Sequence, residues 1–190
     1  LPAHGESSGA RIGLGATEAP AVAAALAHLR DRLPGAPLAV IGVSLGAAAF
    51  VLADLQPRPA AVVLESMYPT LHDAVANRLE LRLGDAGRVL AAPLLWQLPL
   101  RLGVAASALE PVRHLPALAT PVAIAAGTRD RHTTWAETRR LYAAARMPKE
   151  LWSFPGIAHE DLHRHAPALY EARVLAFLGR HLAPPRDSLP

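Results

Sequence analysis

Leu38-Ala39-Val40-Ile41-Gly42-Val43 is a run of six residues without one polar side chain, and it leads directly into Ser44-Leu45-Gly46. A half-exposed strand alternates apolar and polar residues, so this run suits a central parallel strand covered on both faces. Ala61-Val62-Val63-Leu64 and Pro121-Val122-Ala123-Ile124-Ala125-Ala126 have the same character, and Glu150-Leu151-Trp152-Ser153-Phe154 makes a fourth strand. Helical spacing separates these runs. Val22, Leu26, Leu29 and Leu33 form one buried stripe of a helix that opens near Thr17, with Glu18 in its first turn, and stops at Pro34-Gly35. Small residues from Leu45 to Leu55 supply a second helix. Thr134-Trp135-Ala136-Glu137 has the form of a capping box and opens a helix toward Arg146, while Arg164 to Leu182 reads as a closing helix. Strands alternating with helices predict an α/β fold, a mostly parallel sheet flanked by helices.

One stretch departs from the alternation. Leu71 to Ala119 is helical in character, interrupted by Pro93, Pro99, Pro111 and Pro116, and reads as a helical insertion within a single domain spanning 1–190. Its centre, Val89 to Ala106, is nearly apolar, but Gln97, Arg101 and two prolines interrupt it. A membrane span needs about 20 cleaner residues, so membrane contact is not expected. Gly5 to Gly15 reads as loop, and Ala183 to Pro190 as a frayed tail.

Composition narrows the chemistry. There is no cysteine, which excludes disulfides, thiolate zinc sites and cysteine nucleophiles. The net charge is +3, yet 18 of the 19 basic residues are arginines scattered singly among acids, so a nucleic-acid partner is not expected.

Gly42-Val43-Ser44-Leu45-Gly46 lies where an apolar strand meets a helix, the context a nucleophile elbow requires. The chain must reverse there within a residue or two, and side chains at 42 and 46 are expected to collide with their neighbours. Ala47 and Ala48 let the helix sit close to the sheet. A strand–helix turn that merely contains serine is the plainer reading. A serine hydroxyl needs a base. Asp130 follows the third strand and His159 the fourth, and in a parallel sheet such loops gather at one edge. His159 would then take the Ser44 proton and Asp130 would orient the imidazole. Alternatively, Asp130 is a loop carboxylate paired with Arg129 or Arg131, and the base is another of nine histidines. His159-Glu160-Asp161-Leu162-His163 also spells the motif of a zinc peptidase, which would need these residues on a settled helix and a third ligand such as His165 or Glu171.

Taken together, the chain resembles the α/β-hydrolase superfamily, in the branch grouped with serine aminopeptidase-like and prolyl-oligopeptidase-like hydrolases. The resemblance runs from His4-Gly5-Glu6-Ser7 through the elbow, Gly127 to Asp130 and Lys149 to His159, to the final helix. It implies Ser44, Asp130 and His159 as a catalytic triad, in the Ser, Asp, His order of that fold. It also implies that the insertion 71–119 is a small cap. Leu45, whose N–H follows the nucleophile, is the expected oxyanion donor. Two readings of His4-Gly5 stand: an oxyanion loop on a minimal fold, or a loop after a later strand, in which case the first strands and a second donor lie outside this chain. The first apolar strand would then have an open edge. The expected activity is a serine hydrolase cleaving small-molecule carboxylic esters through an acyl-enzyme, with no metal and no cofactor. Met67, Leu95 and Trp96 are the candidate pocket residues. A peptidase or amidase on the same triad, a non-catalytic remnant or binding module, and the zinc peptidase are the rivals. Cytoplasmic residence is the default expectation, although a missing N-terminus could carry a signal or anchor.

Overall fold

Helix α1 (Glu18–Arg32) precedes strand β1 (Ala39–Val43) and α2 (Leu45–Leu52), and β2 (Ala61–Glu65) follows. Helices α3 (Leu71–Leu83), α4 (Asp85–Leu95), α5 (Leu98–Leu102) and α6 (Pro111–Leu118) then intervene before β3 (Val122–Gly127). The chain continues through α7 (Trp135–Ala144), β4 (Lys149–Phe154), α8 (Leu162–His165) and α9 (Pro167–Leu182). This computed structural model describes residues 1–182; the expected frayed tail, 183–190, lies outside the described residues.

The four strands pair in parallel in the order β1-β2-β3-β4. Every residue of β2 and β3 is buried, as continuous apolar runs require. Their alternate residues serve two cores. Val62, Leu64, Val122 and Ile124 face Leu26 of α1, Phe50 of α2, Leu115 of α6 and Leu141 of α7. On the opposite face Val63, Ala123 and Ala125 meet Trp152 and Phe154 of β4 and Val174 and Phe177 of α9.

Strand β1 is not the covered central strand that its apolar run predicts; it has the open edge expected under the second reading of His4-Gly5. It is an edge strand, and Ile41 and Val43 are 45% and 54% exposed. Val40 packs into the first core and Ala39 against the second, but Ile41 and Val43 belong to neither. The stripe on α1 is likewise covered only in its first half: Val22 and Leu26 join the first core, while Leu29 and Leu33 are exposed.

The insertion is helical, but its breaks are not where the prolines suggested. Pro93 and Pro116 sit inside α4 and α6, and Pro99 and Pro111 open α5 and α6. Proline lacks only an N–H that the first turn does not use, so Pro99 and Pro111 are starts rather than stops. Gly84, at φ +64°, separates α3 from α4, and Gly103, in the left-handed region, ends α5. The closing helix is split at Ala166 because Pro167 begins a new helix. Among the described residues no helix is long and apolar enough to cross a membrane.

Candidate active site

Strands β1 to β4 end together, with Val43 beside Glu65 and Gly127 beside Phe154. The segments leaving their carboxyl ends therefore emerge at one rim of the sheet. Ser44 follows β1 and holds φ +49°, ψ −113°, a conformation that L-residues rarely adopt. Its N–H donates to the Glu65 carbonyl at 2.8 Å, tying the turn to the end of β2. Such strain persists only where surrounding structure imposes it, and here the imposition is visible. A Cβ at Gly42 would lie 2.7 Å from Ala47 Cα, so only glycine lets α2 return this closely. Ala47 and Ala48 are fully buried in that contact. Gly46 does not behave as expected: a Cβ there would meet open space, because residue 46 faces away from the packed side of the turn.

Asp130 and His159 are brought together. Asp130 is buried, its side chain fully so, and its Oδ2 lies 2.7 Å from His159 Nδ1. Its other oxygen, Oδ1, accepts from the N–H groups of His132 and Thr133, both at 2.8 Å. Neither Arg129 nor Arg131 makes an ion pair with it among the described residues. The His159 segment is drawn across the end of β3 by backbone bonds, Thr128 N–H to the Phe154 carbonyl and Arg129 N–H to the Ile157 carbonyl. Gly127 permits that approach, since a Cβ there would sit 2.2 Å from the Ile157 oxygen.

Ser44 lies at the same rim, half-buried, but among the described residues no hydrogen bond joins it to His159. Leu45 opens α2, so its N–H belongs to the first helical turn, whose amides have no partner within the helix. His4 and Gly5 are not brought to this point. The His4 ring is bonded to the Pro2 carbonyl within its own turn, and the residues of that loop lining the cleft at Ser44 are Ile12 and Leu14.

That cleft, about 220 Å³, is walled by Ile12, Leu14, Leu45, Tyr68, Leu71 and Val75, with Arg78 its one charged lining residue. Met67, Leu95 and Trp96 do not line it. Met67 is buried in the first core, Leu95 packs with Leu71, Leu98 and Leu109, and Trp96 is 81% exposed. Glu18, fully buried in the first turn of α1, fixes the Leu14 loop by accepting from Gly13 N–H and Gly15 N–H, both at 2.7 Å. Burial pushes its carboxyl up, but these amides outweigh it and hold the group below its ordinary range.

A second cleft, about 380 Å³, opens on the His159 side and includes Glu65, Ser66, Glu160, Asp161 and Tyr170. No motif pointed to Glu65 or Ser66; their only signal was a carboxylate directly ending an apolar run.

The residues of the zinc motif do not share a helix. His159 precedes α8 and turns Nδ1 to Asp130, whereas His163 Nε2 lies 2.8 Å from Glu171. Among the described residues the three groups close enough to share an ion are instead Asp130, His132 and His159. The His132 and His159 rings are 5.1 Å apart, and burial together with the neighbouring His159 lowers the His132 pKa.

No protein-family model matches this chain, and no curated protein matches it. Solved structures do. An esterase of Pyrococcus furiosus is 20% identical with a TM-score of 0.73, over 96% of this chain and 69% of that one. A monoacylglycerol lipase of Paleococcus ferrophilus is 21% identical with a TM-score of 0.64, over 94% of this chain and 81% of that one. A puromycin-hydrolyzing peptidase of Mycobacterium tuberculosis is 23% identical with a TM-score of 0.68, over 92% of this chain and 27% of that one.

Proposed function

We propose that this chain, which has the α/β-hydrolase fold, is a serine hydrolase that cleaves carboxylic esters through an acyl-enzyme. The observation that carries the reading is the buried Asp130 carboxylate holding His159 Nδ1 at 2.7 Å, at the rim where Ser44 is held strained. With Nδ1 on Asp130, the other ring nitrogen, Nε2, is left for the nucleophile. In the reaction the Ser44 hydroxyl turns to Nε2, gives up its proton and adds to the ester carbonyl carbon. The negative oxygen that forms is met by Leu45 N–H at the start of α2. The bond to the leaving alcohol then breaks, and His159 hands that alcohol the proton. Water, activated by the same imidazole, hydrolyses the acyl-serine and returns Ser44 to its starting state. Asp130 keeps the ring oriented throughout and stabilises the imidazolium.

The apolar cleft beside Ser44 supports an acyl group without charge. Leu71, Ala74 and Val75 of α3 line it, which supports a cap role for the insertion 71–119. The three neighbours are described as an esterase, a lipase and a peptidase, so the fold accommodates ester and amide cleavage alike. The apolar acyl site favours the ester.

A fluorophosphonate probe tests the reading together with hydrolysis of 4-nitrophenyl butyrate. Wild type is expected to be labelled at Ser44 and Ser44→Ala to resist labelling. Asp130→Asn is expected to lose about 10⁴-fold in kcat, by removing the acceptor that fixes the His159 tautomer. Labelling that survives Ser44→Ala overturns the assignment.

A further inference from the structure

The cleft on the His159 side holds three carboxylates and an orphaned hydroxyl. Glu65, at the end of β2, is only 4% exposed, and the one hydrogen-bond partner of its carboxylate among the described residues is the neutral Tyr170 hydroxyl at 2.5 Å. Among the described residues no arginine or lysine lines the cleft. A buried carboxylate without a cation is costly, and burial pushes the Glu65 carboxyl up. Ser66 is 3% exposed, lines the same cleft, and its Oγ is the one buried side-chain polar atom without a partner among the described residues. A buried group left unpaired is destabilising, and a ligand bearing a donor would satisfy it. Glu160 and Asp161 add negative charge at the mouth. Their existing partners are weak or backbone: His165 Nε2 at 3.5 Å from Glu160, and Arg164 N–H at 3.0 Å from Asp161.

Chemistry fixes which half of a substrate this cleft meets. The leaving atom takes its proton from His159, so it must lie against the imidazole. His159 lines this cleft, whereas Ser44 lines the apolar one. We propose that the Glu65–Ser66 cleft binds the leaving-group side of the substrate and recognises a protonated amine there. The preferred substrates are then esters with an apolar acyl chain whose alcohol carries an amine. The ammonium N–H donates to Glu65, Ser66 Oγ stands as the alternative acceptor, and the positive charge of the amine supplies the counter-charge that the carboxylates of the cleft lack. This rests on the serine-hydrolase reading above.

The test compares 2-(dimethylamino)ethyl butyrate, protonated at pH 7, with 3-methylbutyl butyrate, its neutral isostere. Wild type is expected to favour the cationic ester by about tenfold in kcat/KM, the scale of one charge-assisted hydrogen bond. Glu65→Gln is expected to bring that ratio close to one, with most of the change in KM. The exposed pair Glu160→Gln with Asp161→Asn is expected to reduce it about twofold to threefold, and serves as the test should Glu65→Gln fail to fold. A wild-type ratio near one, or a ratio that neither variant alters, overturns the proposal. Calorimetric binding of 2-(dimethylamino)ethanol against 3-methylbutanol to Ser44→Ala separates the two readings. Selective binding of the amine by a protein that hydrolyses neither ester leaves the cleft assigned and removes the hydrolase. Turnover of both esters without preference, and without selective binding, does the reverse.

Discussion

Asp130 is held by three contacts that point in different directions. His132 and Thr133 N–H groups occupy Oδ1, so Oδ2 is the only face it can turn to His159. The carboxylate is therefore aimed before any substrate arrives. Glu18 does comparable work for the cleft beside Ser44. Removing it by Glu18→Ala leaves two buried amides unpaired and is expected to cost about 2–3 kcal/mol in a denaturant titration. Because its pKa is held down in the folded protein, this contribution is present above the ordinary glutamate range and fades as pH falls through the depressed value. Glu65 has the opposite sign. Its pKa is raised, so the contribution of this one group is fullest below about pH 4.3 and is lost as pH climbs through the folded value. Glu65→Gln lacks that loss. Its melting temperature is expected to exceed that of wild type at pH 8 and to match it at pH 4, a gain in stability bought with selectivity. At this scale the sequence was informative about where Ser44, Asp130 and His159 stand in the fold, because each follows an apolar strand at a fixed place. Glu65 and Ser66 were silent: nothing local signals their burial, and the Glu65 carboxylate meets Tyr170, 105 residues further along.

The elements that position the site fall into readable and unreadable sets for physical reasons. Thr134 and Glu137 form the reciprocal bonds of a capping box at the start of α7, as their spacing predicted. That cap follows directly on the loop clamping Asp130, so Thr134→Ala is expected to lower stability by about 1 kcal/mol, read as a shift in urea midpoint. Gly127→Ala is expected to be more severe, because its Cβ would enter the Ile157 carbonyl and push the His159 segment off β3. A loss of at least about 100-fold in kcat for 4-nitrophenyl butyrate is expected, from displacement of the base by an ångström or so. The strands were legible to within a residue because unbroken apolar runs have few other uses. The insertion was not. Proline there reads alike as a helix start or a break, and only tertiary packing separates the cases. Gly42 and Gly46 look equivalent in sequence, yet only Gly42 faces the returning helix.

Over the whole molecule, the uneven feature is the sheet edge at β1. An edge strand with exposed Ile41 and Val43 presents unpaired backbone groups beside apolar side chains, a template for another strand. Ile41→Lys is expected to reduce concentration-dependent association, measured by light scattering across a dilution series, while leaving the far-ultraviolet circular dichroism unchanged. An apolar run with no polar residue implied cover on both faces, and what it could not convey was how many strands stand beside it. The two clefts, finally, have separate walls. One is built from the 12–14 loop and α3, the other from the end of β2, residues 159–161 and α9. On the assignment proposed above, tolerance for acyl length and taste for the departing alcohol can thus drift apart under selection, each retuned by substitutions at residues the other cleft does not share.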